Sequence, residues 1–334
     1  MLIKGGYYMC SKEAKLVIIY PETTRHLGLF KDIENDDRVS LNCTILKKCN
    51  SFFKKAIRKI YFRTNFSKDI WYEYNDIKKY VNKIDRILII DGALNVISLK
   101  FLEWCKRKNP NLIIDLYFIN SLEAGSKAII NAKNMYNKFE WNHIYTFDPV
   151  DAEKYKFEFL GFNYYSKLNI ENLKKDITSD VYFVGGLKGG REKEIIDLYN
   201  SLIAENVNCD FNINLNSEDN KPEVEGIKFN YGWISYSEIL KHVLSSNCII
   251  EILQKGQNGT TLRYFEAVCY NKKLLTNNPN IVNYPFYNSE TMKYFKNIDD
   301  IDFEWIKERN KIEYNYKNEF SPVKLVNYLL ENND

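Results

Sequence analysis

Histidine is scarce in this chain: three in 334 residues, at positions 26, 143 and 242. That is too few and too scattered for a structural zinc site. The cysteines (Cys10, Cys43, Cys49, Cys105, Cys209, Cys248 and Cys269) are odd in number and include no C-x-x-C pair. Several sit in apolar runs, as buried cytosolic thiols do, so a disulfide framework is not expected. Long hydrophobic runs are missing too, and nothing approaches the roughly 18 consecutive apolar residues of a membrane span. The run Leu16–Tyr20 is a strand's length, not the core of a signal peptide. These absences predict a cytoplasmic protein. Net charge is only +3, which argues against a dedicated nucleic-acid binder, and no nucleic-acid partner is expected.

What the sequence does contain is alternation. Lys15–Tyr20, Arg86–Asp91 and Leu112–Asn120 are short β-branched apolar runs that read as strands, and Leu99–Arg107 between the last two has helical spacing. Strand, helix, strand in this order implies parallel βαβ units. The second half repeats the pattern. Asp180–Val184, Asp210–Leu215, Cys248–Leu253 and Lys273–Asn277 read as strands, and Arg191–Asn206, Ser237–Leu244 and Thr261–Tyr270 as helices. The tail Pro322–Leu330 is an amphipathic helix, with Ser321 as N-cap and proline in the first helical position. The expected fold class is α/β. Its expected domains are 1–165 and 179–334, joined by a linker at 166–178, with the terminal helix placed in the second domain and free to cross back.

Two strand-to-helix turns in the second half carry the chemistry. The first contains Gly185, Gly186, Lys188 and Arg191. Glycines let the backbone approach a ligand, and free N–H groups at a helix start attract phosphate. Lys188 and Arg191 can add charge-assisted bonds to a diphosphate. The spacing is neither G-x-G-x-x-G nor a P-loop, and an ordinary flexible turn is the competing account. The second runs from Gln254 to Ala267 and includes Gln257, Asn258, Thr260, Thr261 and Arg263 ahead of Glu266. It too is an anion cradle at a helix start, and a carboxylate at Glu266 suits the paired hydroxyls of a ribose. A polar loop with a surface glutamate is the plainer alternative; two cradles in one domain weigh against it.

On these residues, Asp180–Asn278 resembles the donor domain of GT-B glycosyltransferases that build bacterial surface polysaccharides, such as lipopolysaccharide or capsule. The resemblance implies two Rossmann-like domains facing a cleft, a nucleotide-sugar donor in the second, and a glycan or lipid-linked glycan acceptor in the first. Many such enzymes carry a Glu-x7-Glu signature whose second member binds the donor ribose. That member matches Glu266, but the first falls on Asn258, so the signature is half present. Asn258, Gln257 or Gln254 become the implied sugar contacts, and inverting or retaining stereochemistry is left open. The resemblance also implies nucleobase contacts around Trp233, within Tyr231–Ile234.

An inverting reaction needs a general base near a strand end. His26, just after the first strand, and Asp91, followed by Gly92, are the candidates, with Asp148 a weaker third. A surface histidine and a turn-capping aspartate are the alternatives. No D-x-D metal motif follows a strand, since Asp300-Ile301-Asp302 reads as a helix cap at Asp302. No cofactor and no metal are therefore expected beyond the nucleotide-sugar co-substrate. Between Arg38 and Lys68 the chain has basic residues and no acidic one. Within it, 47–63 reads as a basic amphipathic helix suited to the inner membrane surface, which would make the protein peripheral; a core-packed helix with a solvated basic face fits as well. The competing functions are a nucleotide-sugar epimerase, a polyol-phosphate transferase, or a non-catalytic nucleotide- or glycan-binding protein.

Overall fold

Two compact units divide the chain: Met1–Leu122, Ser126–Ser166 and Ser321–Asp334 form the first, Glu123–Gly125 and Lys167–Phe320 the second. The computed structural model describes residues 14–21, 28–43, 51, 53, 56–57, 74–95, 97–124, 127–169, 176–187, 190–215, 221–232 and 234–332.

In the first unit the strands are β1 (Leu16–Tyr20), β2 (Val39–Cys43), β3 (Arg86–Ile90), β4 (Ile113–Phe118), β5 (Ile144–Thr146) and β6 (Glu158–Phe159). They form one sheet in the order β2-β1-β3-β4-β5-β6, parallel at every pairing. β1 and β3 are buried at every residue, as expected of central parallel strands covered on both faces. The helices among the described residues are α1 (Asn75–Tyr80), α2 (Leu99–Lys108), α3 (Lys127–Met135) and α4 (Pro149–Tyr155). α2 buries Phe101, Leu102 and Cys105, one stripe of an amphipathic helix, against Ile87, Ile89, Ile114 and Leu116.

The second unit contains β7 (Ser179–Gly186), β8 (Cys209–Leu215), β9 (Lys228–Tyr231), β10 (Ser246–Glu251), β11 (Lys273–Thr276) and β12 (Met292–Tyr294). Their order is β12-β11-β10-β7-β8-β9, again with parallel pairings. Helices α5 (Glu192–Ala204), α6 (Tyr236–Leu244), α7 (Leu262–Cys269) and α8 (Phe303–Lys307) belong to this unit. α5 turns Ile195, Leu198, Tyr199 and Leu202 into the core, a spacing that repeats one helical face. Apart from the helix expected at 47–63, most of which lies outside the described residues, the predicted helices and strands are present with ends shifted by a few residues. The short strands β2, β5, β6, β9 and β12 carry too few apolar residues to announce themselves.

The terminal helix α9 (Pro322–Glu331) starts as predicted, capped by Ser321 with proline in its first turn. Its domain assignment needs correcting, because it packs with the first unit rather than the second. Ser321 Oγ donates to Asp32 (2.6 Å), Arg38 Nη1 donates to Asn327 Oδ1 (3.0 Å), and Arg86 Nη2 donates to the carbonyl of Asn332. Those partners lie almost the whole chain away, so sequence adjacency to the second domain misplaces the helix.

Candidate functional site

In a parallel sheet all strands end on one edge. Ligands collect where consecutive crossovers leave in opposite directions. In the second unit that point lies between β7, whose successor β8 is on one side, and β10 on the other. The two predicted cradles are the segments that leave these two strands.

The first begins inside β7, whose last residues are Gly185 and Gly186. A Cβ on Gly185 would lie 3.0 Å from the Phe183 ring and 3.1 Å from Arg191 Nη2, so the small residue makes room for the arginine. Arg191 caps α5, and its Nε donates to the Gly186 carbonyl (2.9 Å) while Nη1 donates to the Ile252 carbonyl (2.5 Å). The guanidinium thus laces the segment after β7 to the segment after β10. Burial lowers its pKa from the usual arginine value, with Glu194 opposing. Lys188 and Trp233 lie outside the described residues.

The second cradle is pinned at both ends and from beneath. Glu251, the last residue of β10, is buried and accepts from the hydroxyls of Thr261 and Thr276. Thr261 in turn caps α7, accepting from Arg263 N at 3.1 Å. At the start, Leu253 N donates to Asn277 Oδ1 (2.8 Å), and Asn277 Nδ2 donates to Glu194 Oε1 (2.8 Å). In the middle, the Asn258 carbonyl accepts from Tyr284 Oη (2.8 Å) and Asn280 Nδ2 (3.1 Å), and Gln257 Oε1 accepts from Gln254 N (3.2 Å). Thr260 is buried.

Glu266 sits on the first turns of α7 at 0% exposure. Its Oε1 accepts from Tyr236 Oη (2.9 Å) and from Arg263 Nη2 (2.7 Å), whereas Oε2 has no partner among the described residues. Burial pushes the carboxyl up to about 7, while Arg263 and the Tyr236 hydroxyl pull it down. A buried carboxylate oxygen without a donor is unusual and calls for a specific explanation.

The first unit has its own switch point, between β1 and β3. Asp91 follows β3 and is fully buried. Its Oδ1 accepts from Gly92 N (2.6 Å) and its Oδ2 from Asn120 N (3.2 Å), and Asn120 Nδ2 lies within reach of both oxygens. Burial pushes Asp91 up to about 6, against these donors. Gly92 abuts Pro21, the residue after β1: a Cβ there would come 2.7 Å from Pro21 Cγ. His26, in the same segment, lies outside the described residues. Asp148 is an N-cap: it accepts from Val150 N (2.9 Å) and Asp151 N (3.3 Å), and also from the Ser121 hydroxyl. The weaker third candidate is thereby committed to α4.

Of the basic segment 47–63, only Ser51, Phe53, Ala56 and Ile57 are described, and all four are exposed. Among the described residues no helix is long and apolar enough to cross a membrane, and no group of three histidine, cysteine or acidic side chains is placed to hold a metal ion.

No family model matches the chain, and no curated protein matches it. Solved structures do. An alpha-glucosyltransferase in complex with UDP and a 13-mer DNA containing a central A:G mismatch superposes with a TM-score of 0.56, over 95% of this chain and 98% of that one, at 12% identity. An alpha-glucosyltransferase in complex with UDP and a 13-mer DNA containing a HMU base gives 0.55 over 95% and 99%, at 11% identity. The apo structure of OtsA gives 0.50 over 86% and 89%, at 9% identity. At such identities the likeness is one of fold. The fold is GT-B.

Within the GT-B fold, the structure brings Gly185, Gly186, Arg191, Thr261, Arg263 and Glu266 to one switch point. It also adds residues that sequence reading passed over. Tyr236 looks like one more apolar-face residue of α6, and Glu251 like the polar end of a strand. Asn277, Asn280 and Tyr284 come from the stretch after β11. Their only sequence signal is polarity beside buried strands, which does not tell a strap from a surface side chain.

Proposed function

We propose that the protein is a glycosyltransferase that takes a nucleotide-sugar donor on its second unit. One observation carries this reading. Two glycine-containing segments leave adjacent strands at the switch point, laced by Arg191, with Glu266 beside them holding an uncommitted carboxylate oxygen. Two of the similar structures, alpha-glucosyltransferases in complex with UDP that align with 95% of this chain, support a uridine nucleotide. In this reading the N–H groups that open α5 and α7, with Lys188 and Arg263, hold the diphosphate. Glu266 accepts from the ribose, Trp233 contacts the base, and Gln257, Asn258 and Thr260 face the sugar. The sugar's C1–O bond to the diphosphate breaks, a bond from C1 to an acceptor hydroxyl oxygen forms, and the nucleoside diphosphate leaves. The acceptor proton goes to a general base, for which His26 and Asp91 are the candidates. No metal is required, so activity in excess chelator is expected to persist.

The acceptor is a glycan or lipid-linked glycan of surface polysaccharide synthesis, with 47–63 bringing the protein to the membrane. A second reading has a specific observation in its favour: two of the similar structures are in complex with DNA, and the acid-free run from Arg38 to Lys68 suits a phosphate backbone. In that reading the acceptor is a hydroxyl on a nucleic acid. Thermal-shift screening with UDP-, GDP- and dTDP-sugars tests the donor, with Glu266→Ala and Arg263→Ala expected to abolish the response. Absence of any nucleotide response in the intact chain refutes the donor site. Transfer from the stabilising donor to lipid-linked glycan or to duplex DNA then decides between acceptors.

A further inference from the structure

Tyr236 is the first residue of α6, directly after the Tyr231–Ile234 stretch, and is buried. The turn that presents it is fixed by Ser235, whose hydroxyl accepts from Glu238 N (3.2 Å). From there its phenol crosses to α7 and donates to Glu266 Oε1, the same oxygen that receives Arg263 Nη2. Two donors on one oxygen fix the carboxylate's rotation and leave Oε2 without a partner among the described residues.

We propose that Tyr236 is a positioning residue of the donor site, clamping Glu266 by Oε1 so that Oε2 accepts from the ribose hydroxyls of the nucleotide. This rests on the donor-site reading above. The second donor, Arg263, comes from the helix of Glu266 itself and moves with it. Tyr236 is on a different element and ties the carboxylate to the segment following β9, so it fixes Glu266 against the rest of the unit.

Ionisation of Glu266 is part of the same device, because only the carboxylate form accepts on both oxygens. The groups that act on it are Arg263 from α7, Tyr236 from α6 and Tyr182 from β7, with Glu251 at the end of β10 beyond Arg263. Asp210 and Glu238 act on Tyr182. The Tyr236 hydroxyl favours the charged form, so its removal raises the pH at which the carboxylate forms.

The test is binding of UDP and of 2′-deoxy-UDP to the full chain, measured by calorimetry from about pH 5.5 to about pH 8.5, a range that brackets a carboxyl near 7. The wild type is expected to favour UDP about tenfold, the size of one charge-assisted hydrogen bond. Its UDP affinity should fall as pH drops through about 7. In Tyr236→Phe the preference should shrink to about twofold and the fall should move to higher pH by about one unit. Glu266→Gln should lose both the preference and that fall, leaving only the nucleotide's own titration. Tyr236→His, which keeps a ring N–H donor, serves if the phenylalanine variant does not fold, and should lie between it and the wild type. A folded Tyr236→Phe or Tyr236→His chain with wild-type preference and wild-type pH midpoint overturns the role of Tyr236 while sparing the donor site. A wild type that binds no nucleoside diphosphate overturns the donor site itself.

Discussion

The two switch points carry buried carboxylates in opposite states. Asp91 in the first unit is satisfied from within: amide donors of Gly92 and Asn120 reach both of its oxygens. Among the described residues, Glu266 in the second receives both of its donors on one oxygen and none on the other. Both are fully buried and both are pushed upward, Asp91 to about 6 and Glu266 to about 7. A raised pKa therefore does not tell a carboxylate with donors on both oxygens from one with an oxygen to spare. Hydrogen-bond saturation does, because a satisfied carboxylate has no capacity left for a ligand without giving up a partner.

The largest expected effect follows from that contrast. Glu266→Ala should cost about a hundredfold or more in UDP affinity, roughly 3 kcal/mol for a charged acceptor lost from a buried site. Its melting temperature should change less than that of Asp91→Ala. Asp91→Ala should instead destabilise the chain by about 3 kcal/mol, because several buried amide donors lose their acceptor, and should leave UDP affinity unchanged. Calorimetric titration and urea melts on both variants measure the two effects. A stable Asp91→Ala chain that binds UDP but transfers nothing would break the comparison and make Asp91 the base.

Next in size is Arg191. A lysine cannot span the Gly186 and Ile252 carbonyls, so Arg191→Lys should lose about 2 kcal/mol of stability. UDP affinity should fall about tenfold with it, since both cradles shift together. Full stability with lost affinity would instead mark Arg191 as a direct diphosphate ligand.

The pH dependence sharpens the first unit's role. Burial raises the Asp91 pKa from 3.8 to about 6, so the stability its neutral form confers is present below about pH 4 and is lost as pH rises through about 6. Asp91→Asn removes that loss. Relative to the wild type, it should gain about 2 kcal/mol between about pH 4 and about pH 8, read from urea midpoints at the two pH values. The smallest effect is expected of Gly92→Ala. The added methyl meets Pro21 Cγ at 2.7 Å and should cost about 1 kcal/mol through local crowding, seen as a small drop in melting temperature with UDP binding intact.

The central strands of both sheets were legible in the sequence because parallel strands buried on two faces write apolar runs such as Leu16–Tyr20, Ile87–Ile90 and Cys248–Ile250. Helix starts were legible where the capping side chain directly precedes the helix, as at Ser321 with its neighbouring proline and at Asp302. The two strand-to-helix turns were legible as well, because glycine and threonine beside a strand end act locally. What each cradle side chain touches was not. Arg191 reads as a phosphate ligand, yet its guanidinium reaches a carbonyl 61 residues away. The Glu266 partner Tyr236 comes from 30 residues upstream, and α9 joins a unit whose anchoring residue Asp32 is 289 residues distant. The sequence by itself thus determined the central strands, the longer helices and the two strand-to-helix turns of the second unit, since local spacing and burial pattern fix them. Only the tertiary structure decided which polar groups are spent on one another and which carboxylate oxygen is left over, because hydrogen-bond saturation depends on partners that the chain brings together only when folded.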